Sequence, residues 1–140
     1  MYYTRKNGLA SARGTYKKYT SINSKLRFLD IRWNILCNLS CIYCSENFSS
    51  KWKKLKNLES AKEFNSDKFL SWIKSNLDDL EDLMLAGGEP LLMKENFLLL
   101  EMLPSTTNIT LITNLSSNIE KNPISQLLLS KFHDTTVWLS

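Results

Sequence analysis

The feature that most constrains this chain is the regular alternation of strand-like and helix-like stretches along its second half. "DLMLA" (82–86), "NITLIT" (108–113) and "TTVWLS" (135–140) are short apolar or β-branched runs that begin about 26 residues apart. Helical patterns fill the gaps. "KENFLLLEML" (94–103) stops before Pro104, and "NPISQLLLSK" (122–131) offers Asn122 as an N-cap with Pro123 in the first turn. Upstream, "LRFLDIRWNIL" (26–36) alternates, with Phe28, Asp30 and Arg32 on one face and Leu29, Ile31 and Trp33 on the other. "SDKFLSWIKSNL" (66–77) is helical, with Asn65 or Ser66 as its cap. Strand, excursion, helix and then repeated strand–helix steps predict right-handed βαβ units on a parallel sheet. The spacing suits a (β/α) barrel or a doubly wound sheet.

In such sheets, functional groups gather at the C-terminal ends of the strands. "CNLSCIYC" (37–44), "GGEP" (87–90), Thr113–Asn114 and Ser140 all fall there. "CNLSCIYC" holds all three cysteines of the chain. A structural zinc site wants four ligands, and the single histidine, His133, precedes the last strand and so belongs on the opposite rim. CxxC redox chemistry would use Cys41 and Cys44 and leave Cys37 idle. A [4Fe–4S] cluster on three thiolates fits better, because its fourth iron stays open to an outside ligand.

The pair of motifs resembles the radical S-adenosylmethionine (radical SAM) superfamily. "CNLSCIYC" is similar to its CX3CX2C cluster motif, including the aromatic Tyr43 before the third cysteine. "GGEP", about 40 residues later, resembles its methionine-binding bend; "LITN" and "VWLS" resemble its third and fourth strands. The Arg32-Trp33-Asn34 lead-in and Ser49–Trp52 also resemble members with a twitch or SPASM auxiliary-cluster region. The resemblance implies that Cys37, Cys41 and Cys44 ligate a [4Fe–4S] cluster and that SAM chelates its open iron. It implies that Gly87, Gly88, Glu89 and Pro90 meet the amino end of SAM. Tyr43 would approach the adenine, and Asn114 and Ser140 the ribose or carboxylate. Reductive cleavage of SAM would yield a 5′-deoxyadenosyl radical that abstracts hydrogen from a substrate, a peptide or protein by the twitch/SPASM likeness. Among the remaining polar and aromatic residues, Asn38 is expected to cap the turn after Cys37. Trp33, Trp72 and Trp138 are expected to pack in the core or on strands, and Trp52 to anchor the cysteine loop.

The expected fold is a parallel (β/α) partial TIM-type barrel with about four of the family's six strands. Residues 1–25 form a basic extension, with Arg5, Lys6, Arg13, Lys17, Lys18 and Lys25 and no acidic residue before Asp30, and 26–140 form an incomplete radical SAM core. A hydrophobic fraction of 43% places the chain among globular rather than disordered proteins. With no membrane-length apolar run and three clustered thiols, the expected location is a reducing cytoplasm. An electron donor such as a flavodoxin or ferredoxin is implied. An incomplete barrel further implies a longer reading frame, a complementing chain carrying the remaining strands, or a remnant. The alternative function is a catalytically incomplete Fe–S or zinc-binding half-domain that serves as a partner or regulatory module.

Overall fold

The computed structural model describes residues 25–59 and 65–140; the basic extension, apart from Lys25, lies outside them. Four strands, β1 (Phe28–Ile31), β2 (Asp82–Leu85), β3 (Asn108–Thr113) and β4 (Thr135–Leu139), form one sheet. All three pairings are parallel, and the spatial order is β1-β2-β3-β4. The order decides between the two sheet types. A doubly wound sheet reverses direction at a switch point, whereas strands that follow each other in sequence and space put every right-handed crossover on the same face. The chain is therefore a partial (β/α) barrel.

The register shows which face the helices cover. Leu29, Leu83 and Ile109 stand in one cross-sheet row, and Ile31, Leu85 and Leu111 in the next. Apart from the half-buried Leu29, these are buried, and they join Leu99, Leu100, Ile124 and Leu128 from the helices in one core. Between them, Met84, Thr110 and Ile112 point to the other face and are only half-buried, and Phe28 and Trp138 are exposed. The strand alternation is thus an outside–inside alternation of a barrel wall.

The helices are α1 (Ser50–Leu55), α2 (Ser66–Lys74), α3 (Lys94–Met102) and α4 (Pro123–Lys131). Asn65, not Ser66, caps α2, accepting from the Lys68 amide at 3.2 Å. Asn122 caps α4 as expected, with its Oδ1 accepting from the amides of Ile124 and Ser125 at 2.9 and 3.1 Å. A single 3₁₀ turn, Pro90–Leu92, precedes α3. β1 is shorter than the alternation of 26–36 suggested. Beyond Ile31 the chain still runs beside the segment after β2, but Gly87 at φ +117 bends that segment out of strand geometry. The two continue as an irregular pair, with the amides of Gly88 and Glu89 donating to the carbonyls of Asn34 and Leu36 at 3.4 and 2.7 Å.

Two tryptophan expectations are corrected. Trp33 is buried, but Trp72 is half exposed and stacks flat on Phe69, and Trp138 is largely exposed on the edge strand. Trp72 sits on the outer side of α2, and Trp138 on the sheet face that no described element covers. His133 is exposed in the turn before β4, on the rim opposite the cysteines. No helix among the described residues is long and apolar enough to cross a membrane.

Candidate metal centre

β1 delivers the chain into the cysteine loop, and two adjacent serines close that loop at its base. The Ser50 hydroxyl accepts from the Cys37 amide at 3.0 Å and donates to the Cys37 carbonyl at 3.2 Å, and its amide donates to the Ile35 carbonyl at 2.7 Å. Ser49 is fully buried and donates to the Leu39 carbonyl at 2.8 Å. Further along, the Cys41 carbonyl accepts from the Cys44 amide and from the Trp52 indole, both at 3.0 Å. The anchoring expected of Trp52 is therefore a hydrogen bond from α1 to the middle of the loop. All of these bonds hold backbone atoms. The three thiols stay free and half-buried.

The neighbours of the thiols come from the expected positions. Asn114 reaches across from the end of β3, placing Nδ2 3.8 Å from Cys37 Sγ and 3.3 Å from Asn38 Oδ1. Asn38 does not cap the turn after Cys37; its own amide donates to Ser116 at 2.6 Å, so it ties the loop to the segment after β3. Tyr43 is largely exposed, and its phenol is held above the ordinary value of 10.0. The leading cause is its hydrogen bond with Cys41, followed by the charge of Cys41, desolvation, and the charges of Cys44 and Cys37. The ring thus stands beside the thiol group.

Among the described residues, no three Cys, His, Asp or Glu side chains converge on a single ion. A single tetrahedral zinc needs such convergence, whereas a cluster takes each thiolate on a different iron and tolerates a wider spread. Three thiols outside any disulfide, on a loop clasped by its backbone, are the residue type by which such a cluster is held.

The GGEP bend is built differently. Gly88 lies against the lead-in to the cysteines: a Cβ there would stand 2.1 Å from the Leu36 carbonyl oxygen. Glu89 is fully buried and its carboxylate is already engaged. Oε1 accepts from Thr113 Oγ1 at 2.5 Å and from the Leu91 amide at 3.1 Å, and Oε2 accepts from the Asn114 amide at 2.8 Å. Pro90 opens the 3₁₀ turn, and its carbonyl accepts from the buried Asn96 at 2.9 Å; Asn96 in turn accepts from the Trp33 indole at 2.7 Å. Ser140 is exposed, and its amide donates to the Thr113 carbonyl at 3.1 Å. The structure therefore brings Cys37, Gly88, Glu89, Thr113 and Asn114 into one hydrogen-bonded and packed unit, with Ser140 at its margin. Asn96 escaped the sequence reading. Its signal was a polar residue at the head of the Asn96, Leu99, Leu100 stripe of α3, where only a partnered side chain can be buried.

The chain is 27% identical over 116 residues to GTP 3′,8-cyclase of Campylobacter jejuni subsp. doylei, and equally so to that of C. jejuni subsp. jejuni. GTP 3′,8-cyclase is a radical SAM enzyme. The similarity supports radical SAM ancestry. It covers 76% of this chain but 35% of each relative, so the chain spans about a third of the length of the curated relatives it matches. It lends no support to the twitch/SPASM type. No protein-family model and no solved structure matches the chain.

Proposed function

We propose that the chain is a radical SAM core, or the N-terminal half of one, in which Cys37, Cys41 and Cys44 hold a [4Fe–4S] cluster and the Gly87–Pro90 bend receives the amino-acid end of SAM. The observation that carries this reading is the pairing of three free thiols with a glycine bend packed directly behind them on one rim. When bound, the cluster and SAM supply one-electron cleavage of the S–C5′ bond and a 5′-deoxyadenosyl radical for hydrogen abstraction.

The protein's part is placement. Ser50 and Trp52 fix the loop backbone so that the three thiols keep their spacing. Asn114 offers an amide N–H beside Cys37, the kind of neighbour that tunes a ligand's basicity. Glu89 holds the bend to β3, and Gly88 lets the cysteine lead-in pack directly against the bend. Tyr43 would approach the adenine, and Asn114 and Ser140 the ribose or carboxylate. The relatives act on GTP by name; the lead-in Arg32-Trp33-Asn34 is what favours a peptide or protein substrate here. A reducing cytoplasm suits the thiols, and a flavodoxin- or ferredoxin-class donor supplies the electron. β4 lies at the sheet edge with Val137, Trp138 and Leu139 exposed, which calls for further strands from a continuing or complementing chain. The same open edge favours the second reading, a half-domain that acts only with a partner.

Anaerobic reconstitution with iron and sulfide tests the assignment. It should give about four irons per chain, with 5′-deoxyadenosine formed on reduction with SAM once the complementing half is present. One zinc per chain with no SAM binding overturns it.

A further inference from the structure

The sheet face that no described element covers carries polar side chains outside the cysteine loop and the GGEP bend. By register, Asp30, Met84, Thr110 and Thr136 form one row across it. Arg32 follows Asp30 on the same side. Its Nε and Nη2 donate to the two oxygens of Asp30, each at 3.2 Å. The root of Arg32 lies beside the bend, since a Cβ built on Gly87 would stand 3.6 Å from Arg32 Cβ. The side chain is 57% exposed.

An exposed ion pair two residues apart adds little to stability, so the fold does not require it. What the pair does is set direction. A guanidinium has five N–H donors in a planar fork, and Asp30 uses two of them. The remaining three stay on a cation rooted at the GGEP bend and open to the uncovered face. A fork of this kind is matched by a planar two-oxygen anion.

We propose that Arg32 is the receptor for the α-carboxylate of the amino-acid end of SAM, with Asp30 as the positioning residue that aims it. This rests on the reading that Gly87–Pro90 receives that end. The amine and the carboxylate of an amino acid share one carbon, so a ligand whose amine meets the bend brings its carboxylate within reach of a long side chain rooted beside Gly87. The ammonium and sulfonium of the ligand balance the anions that then surround the guanidinium.

The test is a ligand–mutant cycle on the full reconstituted chain, read by equilibrium binding under anaerobic conditions. One probe is S-adenosyl-L-homocysteine; the other is its decarboxylated analogue, which lacks only the α-carboxylate. Arg32→Gln should weaken the first about tenfold or more and the second less than about twofold, as expected for a lost charge-assisted pair. Arg32→Lys keeps the charge but not the fork and should lose about threefold of the preference; it also serves if the glutamine variant does not fold. Asp30→Asn should lower the preference in the same direction by a smaller factor. If the ratio of the two affinities is the same in wild type and both Arg32 variants, the assignment of Arg32 is overturned and the cofactor reading stands. If the wild type binds neither probe, the cofactor reading falls and takes this inference with it.

Discussion

The cysteine loop and the GGEP bend lie against each other on one rim, yet they are built on opposite plans. In the loop the backbone is committed and the side chains are only lightly held: Ser49, Ser50 and Trp52 bind carbonyls and an amide, while Ile42 and Tyr43 are 96% and 74% exposed and none of the three thiols is in a disulfide. In the bend the side chains are committed: Glu89 is 0% exposed with three protein donors, and Gly88 has no room for a methyl group. The difference teaches a division of labour. The bend joins β2, β3 and the cysteine lead-in into one body, and the loop borrows that rigidity to present ligands. Substitutions in the bend should therefore damage the fold first and metal binding as a consequence, whereas substitutions of the thiols should remove metal and spare the fold.

The largest effect is expected at Gly88. A methyl group there meets a backbone carbonyl, which cannot rotate away as a side chain can. Gly88→Ala should cost about 3 kcal/mol or more, at the upper end of overpacking penalties, and should lower iron uptake although no thiol is touched. Urea unfolding and iron analysis of the same sample check it. A variant of wild-type stability would show that the cysteine lead-in does not dock where the structure puts it.

Glu89→Gln comes next. The amide replaces one acceptor oxygen by a donor and sets it against the Asn114 amide or against the Thr113 and Leu91 donors. The expected loss is about 1–3 kcal/mol, the range for a buried donor left unsatisfied. Thr113→Val tests the same bond from the other side, and a double-mutant cycle should show coupling of about 0.5 kcal/mol or more. Additive effects would mean that Glu89 is not the link between the bend and β3.

The contrast also marks what sequence can and cannot express. The four strands, the covering helices and the convergence on one rim were legible because periodicity and capping are local: Asn122 with Pro123 announced α4, and 108–113 matched β3 to the residue. The cysteines stood out as a candidate ligand set because ligand chemistry restricts residue type and spacing. The internal job of Glu89 was not, since its donors lie 2, 24 and 25 residues away and nothing in "GGEP" separates a ligand-facing carboxylate from a buried one. Asn38 was misread for the same reason: its partners, Asn114 and Ser116, are 76 and 78 residues distant. The open sheet face was invisible as well. Alternation assigns Asp30 and Arg32 a common side of β1, but only the strand order shows that no helix among the described residues covers it.

Within the loop, Trp52→Phe removes the indole N–H from the Cys41 carbonyl but keeps the ring near Lys56. The Cys44 amide still holds that carbonyl, so the cost should be about 1 kcal/mol. The sharper readout is slower cluster assembly, because the middle cysteine loses its outer tether. Assembly at the wild-type rate would make Trp52 a packing residue only.

Cys41→Ala should have the smallest effect on the fold and a complete effect on the chemistry. The thiol is half-buried in a loop whose shape is set by the Cys41 carbonyl, which alanine also has. Stability of the metal-free chain should therefore change by no more than about 0.5 kcal/mol, as for substitutions away from the core. Iron incorporation should nonetheless fail, because two thiolates on this loop leave two irons without protein ligands. An unchanged cluster spectrum would break the ligand assignment. A large loss of stability in the metal-free variant would break the comparison instead, since it would show that the thiol, like the Glu89 carboxylate, belongs to the frame.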